Sequence, residues 1–191
     1  MTRAWVIVAT AAALAGCGSK GADGNAGTAA AGASSTPVKH QPGSWTNKIT
    51  VTSLDAGPGV DTSKVKQGLQ QMFDALSTKG ICITPELAAK DNPAANMERL
   101  AAQGKKCDFD RKIADGTRLD YAGTCTDANG TKVHVAIAGS NTPTQQDLVV
   151  KSEPVDPTGK TKGAMEMRIV SQRTGECKPG DITPSTPGAA S

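Results

Sequence analysis

Aromatic side chains are nearly absent: two Trp, two Phe and one Tyr, 3% of 191 residues. With apolar residues at 37%, a core spread over the whole length would be thin, so the folded part is expected to be smaller than the chain. Histidine is scarcer still, with only His40 and His134, which leaves little material for general base catalysis. No excess of one charge exists either. The formal net charge is +3, and it becomes +2 if Arg3 leaves with a cleaved leader. A balance so small and so evenly spread excludes nucleic acid as an expected partner. No Cys-x-x-Cys pair, internal repeat, phosphate loop or nucleophile elbow occurs.

What is present begins with an export signal over residues 1–16. "MTRAW" is a short basic start and "VIVATAAALA" an apolar run too short to span a bilayer stably. It ends in "LAGC", Leu14 to Cys17, which resembles the lipobox of bacterial lipoproteins, where cleavage precedes the cysteine and the thiol is acylated. The resemblance implies a lipidated Cys17 and a membrane partner through that anchor, since several acyl chains hold a protein firmly where one does not. Gly18, rather than Asp, follows the cysteine. By analogy with lipoprotein sorting this points to the outer membrane, periplasm-facing, with the inner membrane as the alternative.

Residues 17–41 follow as a Gly/Ala/Ser-rich stretch that cannot bury enough surface to offset its ordering entropy, and a disordered linker is expected. Residues 178–191, rich in Pro, Gly and Ser, are expected to be a disordered tail. The one candidate domain is 42–177. "SWTNKITVTSL" alternates as a half-buried strand. Val65, Leu69, Met72, Phe73 and Leu76 form one stripe of an amphipathic helix over 62–78, expected to cover the apolar face of a sheet. Two short helical turns come next. From Lys106 onward, short alternating segments joined by polar turns predict hairpins, with Cys107, Phe109 and Ile113 sharing a face and Leu119, Tyr121 and Cys125 on the return. The expected fold is mainly β (α+β): an antiparallel β-meander with one packed helix.

Cys82, Cys107, Cys125 and Cys177 remain, an even number in an exported chain, and predict two disulfides. The reading favours Cys82 with Cys107, stapling the helical excursion, and Cys125 with Cys177, tying down the last strand. The alternative pairs Cys107 with Cys125 across a hairpin and Cys82 with Cys177.

"QPGSW", "GICITPE", "GKKC", "TCTD" and "RTGEC" together resemble the domain of unknown function 3617 family of proteobacterial envelope proteins, over residues 41–177. The anchors are Pro42, Gly43, Trp45, the four cysteines and Gly175. Ser44 stands where a large aliphatic is usual, and the family's Met-rich strands are missing. The resemblance implies a periplasmic or lipoprotein location and a small disulfide-bearing β domain, and it implies no activity.

Chemistry-bearing residues are few. His40 falls at the end of the linker, where no scaffold is expected to hold it. His134 alternates with Val133 and Val135 and is expected to be solvated. Asp108, Asp110 and Asp120 project from one hairpin beside Lys106, Lys112 and Arg118 as a mixed-charge surface. Met165 and Met167 with His134 suggest a soft-metal site only weakly against core packing. Trp45 is expected in the core, with the floor of a ligand groove as its other role. The expectation is therefore a non-enzymatic envelope lipoprotein without catalytic residues, metal or cofactor, binding an envelope protein or small ligand. A carrier holding a hydrophobic ligand in a curved sheet, and an envelope hydrolase, are the alternatives.

Overall fold

The computed structural model describes residues 36–184. The expected leader, Cys17, and the linker and tail over 17–35 and 185–191 lie outside the described residues. Seven strands make one antiparallel sheet: β1 (Gly43–Asp55), β2 (Ile81–Ile83), β3 (Lys106–Asp115), β4 (Arg118–Thr126), β5 (Lys132–Asn141), β6 (Gln145–Val155) and β7 (Ala164–Gly175). Their order is β2-β1-β7-β6-β5-β4-β3. Strands β3 to β7 thus form the expected meander, and β1 adds to its far side by pairing with β7. Three helices, α1 (Thr62–Leu76), α2 (Pro85–Ala89) and α3 (Pro93–Ala102), lie between β1 and β3.

Alternation decides which face is buried. Leu119, Tyr121 and Cys125 of β4, Val133, Val135 and Ile137 of β5, Leu148 and Val150 of β6 and Met167 of β7 point into one core. The other face carries Arg168 with Asp147, Lys151 with Glu166, and Arg111 and Arg118 with Asp120. These exposed pairs keep that face soluble and contribute little stability.

A bulge in β3 overturns one expected placement. The turn at Gly116 and Thr117 pairs Asp115 with Arg118, and a register shift between Phe109 and Arg111 leaves Asp110 as the extra residue. Phe109 and Ala114 consequently pack against the core, while Ile113 sits opposite Asp120 on the charged face. One inserted residue moves every later side chain to the other side of the sheet. Gly123 permits the bulge, because a Cβ there would meet the Asp108 carbonyl oxygen at 2.2 Å.

The helix over the core is also not the expected one. Met97 and Ala101 of α3 are 3% and 4% exposed and belong to the core. The longer α1 buries no residue; its Met72 and Leu76 are 48% and 67% exposed. Instead α1 lies along β1, where the Gln70 amide accepts from Val51 N–H and donates to the Ile49 carbonyl, each at 2.9 Å. β2 pairs only with Gly43 to Trp45, so beyond that point β1 is an open edge, and Gln70 supplies the hydrogen bonds a further strand would make.

The cysteines pair as Cys82–Cys177 and Cys107–Cys125, not as the favoured Cys82–Cys107 and Cys125–Cys177. Cys107 and Cys125 are direct partners across β3 and β4, with Cα atoms 3.9 Å apart. Cys82 lies on β2, opposite Ser44 at the start of β1, and Ser44 faces Gly175 at the end of β7, which delivers Cys177 to it. Gly43 is required at this crossing: its φ is +137°, and a Cβ would meet the Gly175 carbonyl oxygen at 2.3 Å.

Both ends of the described chain are docked. Val38 N–H donates to Gly116 O, Gln41 N–H to Pro143 O, and the buried Asn141 amide to Val38 O. Residues 36–41 are therefore a strap on the domain, although the sequence places them in the linker. In the expected tail, Ile182 bridges Ile81 in parallel, exchanging hydrogen bonds with Gly80 and Cys82.

Candidate functional site

The strap brings His40 against the domain, which corrects the expectation that nothing could position it. Its ring packs edge-on to Trp45, centroids 4.9 Å apart. Its Nδ1 lies 3.0 Å from Oδ2 of Asp91, and its backbone N–H donates to the same oxygen at 3.0 Å. Asp91 sits in the short link between α2 and α3 for a local reason. Asn92 caps α3, its side chain accepting from Ala95 N–H, and Pro93 follows at the first helical position. Four residues on, the Asn96 amide reaches back to Asp91 Oδ1 at 2.7 Å, and Arg99 donates to the Asn96 oxygen. The result is a relay of His40, Asp91, Asn96 and Arg99.

Burial acts to raise the Asp91 carboxyl, but the His40 ring, the His40 backbone N–H and the Asn96 amide outweigh it, and the group is held below its ordinary value. A depressed carboxyl contributes stability that is fully present above the unfolded value near pH 4 and is lost as pH falls through the lower folded value. Asp91→Ala is expected to cost about 1–3 kcal/mol at neutral pH by stranding the partly buried His40 donors. The gap between variant and parent should close on acidification below about pH 4, as followed by urea unfolding at each pH. A gap constant with pH would contradict this assignment.

Beside the relay lies a cleft of about 570 Å³, within the size range of small-ligand sites. His40, Lys90, Asp91, Asn96 and Arg99 line its polar wall, and Ile83, Leu87, Ala95 and Pro184 supply its apolar surface. Nδ1 of His40 is engaged by Asp91, whereas Nε2 has no hydrogen bond among the described residues. A larger hollow of about 630 Å³ near His134 is walled mostly by the β4–β5 and β6–β7 turns, including Gly130 and Gly159.

Other sequence candidates are placed apart. Trp45 is 2% exposed, and its indole N–H donates to Gln41 O at 3.0 Å, so it backs His40 as a core residue. His134 is exposed and its Nδ1 lies 3.0 Å from the Thr124 hydroxyl. Met167 is 7% exposed within the core and Met165 packs against it, on the face away from His134, so these three do not converge. Among the described residues no three His, Cys, Asp or Glu are grouped to hold a metal. Asp120 is taken up by Arg111 and Arg118 at 2.7 and 3.0 Å, whereas Asp108 and Asp110 face solvent. The cleft was hidden in the sequence because its residues come from the strap, β2, the α2–α3 region and the segment that follows β7. The one local signal was the pair of Thr-Pro and Asn-Pro helix starts.

A family model described as "Protein of unknown function (DUF3617)" matches residues 40–177. No curated protein and no solved structure matches the chain.

Proposed function

The chain belongs to the DUF3617 family of proteins of unknown function, and from that premise we propose that it is a lipid-anchored envelope lipoprotein whose domain is a non-catalytic binding module. In this reading Cys17 carries the acyl chains, and the domain faces the periplasm from the outer membrane. There its cleft meets a small ligand or a segment of an envelope protein. The observation that carries the binding role is the cleft itself, an apolar surface beside polar groups already fixed by hydrogen bonds. Such an arrangement orients a ligand without reorganising to do so.

Support for export comes from the apolar leader ending in "LAGC", and from the pairing of Cys82, Cys107, Cys125 and Cys177 in two disulfides, bonds that persist in oxidising compartments. Among the described residues no helix is long and apolar enough to cross a membrane. The carrier alternative finds little room on the apolar face of the sheet. Leu119, Tyr121, Ile137 and Leu148 are at most 2% exposed, and the hollow beside Ala101, Val133 and Met167 is about 30 Å³, roughly one water.

Metabolic labelling with an alkyne fatty acid in a bacterial host is expected to mark the parent chain and leave Cys17→Ala unmarked, with the marked protein in the outer-membrane fraction. An unmarked parent, or free thiols at the four remaining cysteines in the cell, would overturn the anchored, exported reading.

A further inference from the structure

The cleft is unevenly charged. Lys90, the C-cap of α2, donates its backbone N–H to the Glu86 carbonyl; its ammonium has an electrostatic neighbour in Glu86 but makes no hydrogen bond among the described residues. Among the described residues Arg99 donates to Asn96 through one terminal nitrogen, and its Nε and other terminal nitrogen make no hydrogen bond. Both cations line the cleft. Against them stands the single carboxylate of Asp91, with 9% of its side chain exposed and already engaged by His40 and Asn96.

We propose that the cleft binds a monovalent carboxylate joined to an apolar chain, with the acid group on Lys90 and Arg99 and the chain along Ile83, Leu87 and Ala95. The proposal rests on the reading of the cleft as the binding site. Each candidate charge class can be weighed against the same residues. A cationic ligand meets two cations and a carboxylate both of whose oxygens are already engaged. A dianion such as a phosphate monoester has its second charge set against Asp91, which bonding holds ionised. A neutral ligand leaves the remaining guanidinium donors and the ammonium without an anion while covering the apolar wall beside them. Among the residues that line the cleft a monoanion matches the one positive charge in excess, and charge-assisted bonds to a carboxylate are the strong kind that Arg makes. The acid fixes position, and the apolar chain adds contact area.

The same chemistry has two sources, a fatty acid or the C-terminus of an apolar peptide. Saturation-transfer NMR and calorimetry on the full chain with both disulfides intact are to compare decanoate with decanamide, and N-acetyl-dileucine with its amide. At least one acid is expected to bind about tenfold or more tightly than its amide, and the difference is expected to vanish in Lys90→Gln/Arg99→Gln. Both residues are exposed, so folding is not at stake. Binding of decanoate alone identifies a lipid source, of the dipeptide alone a peptide source, and of both the shared chemistry; each supports the proposal.

Ala95→Trp, at an exposed position in the cleft wall, separates the possible failures. Acid and amide binding alike, and both lost in Ala95→Trp, overturns the carboxylate specificity and leaves the cleft as a binding site. Acid binding unchanged in the double variant also overturns the specificity. If none of the four compounds binds, the proposal and the cleft reading fall together.

Discussion

Exchanging Cys82 and Cys177 together for alanine is expected to lower the unfolding free energy by about 4–5 kcal/mol. The two cysteines are separated by 95 residues, so the bond closes a long loop, from β2 to beyond β7, and removes its closure entropy from the unfolded chain. Cys107 and Cys125 are 18 residues apart, and on the same account their bond contributes about 3 kcal/mol. Little packing accompanies the larger loss: Cys82 is buried but Cys177 is exposed, and the missing sulfurs leave little cavity. Against a typical domain stability of about 5–15 kcal/mol, a loss of this size removes roughly a quarter or more of the margin. The urea midpoint should fall and the slope should rise, since the unfolded chain without the bond is less compact and exposes more surface. A loss below about 2 kcal/mol would contradict the loop-entropy account. The bond also secures β2, three residues long, from whose end Ile83 enters the cleft wall. Ligand binding should therefore weaken in the variant before the sheet itself melts.

The sheet was legible in the sequence because period-2 alternation is a local signal. Val133, Val135 and Ile137 show it without help from other strands, and the short polar turns between segments imply antiparallel neighbours. Pairing that depends on where distant segments meet was not legible. Cys107 and Cys125 lie opposite each other across one hairpin, and their bond stood among the readings; choosing it required knowing that the helical excursion folds back to the end of β7, which brings Cys82 to Cys177. Ile113 was misplaced because a bulge leaves no mark in an alternating pattern until the partner strand is known. The cleft was the least visible part. His40 belongs to a segment whose composition reads as linker, and it is held by Asp91, 51 residues further on. Composition alone does not disclose that such a segment is fixed by Asn141, Gly116 and Pro143 at three strand ends.

The same contrast between pattern and packing yields the second large effect, on the helices. Hydrophobic periodicity favours α1, which carries the longer and more regular apolar stripe, yet α3 holds the core contact. Met97→Ala is expected to cost about 2–5 kcal/mol, the range for removing a large buried aliphatic side chain where the site cannot fully collapse. Met97 is 3% exposed and sits in the cluster with Tyr121 and Ile137, whose strands are fixed on both sides and cannot move in to fill the space. Met72→Ala on α1, where the side chain is 48% exposed, is expected to change stability by less than about 0.5 kcal/mol. The pair, compared by urea unfolding, discriminates the two helices directly; equal losses would mean that α1 holds as much of the core as α3, and a larger loss at Met72 that α1 closes it. Ten residues are too few for α3 to hold its helix unaided, so loss of the Met97 anchor should also loosen its first turn. That turn carries Ala95 and Asn96, and Arg99 follows one turn on. Hydrogen exchange in Met97→Ala should therefore rise along α3 and at the cleft wall it supplies, while the amides of β5 and β6 stay protected. Stability of the core and shape of the cleft are in this way set by opposite sides of one short helix.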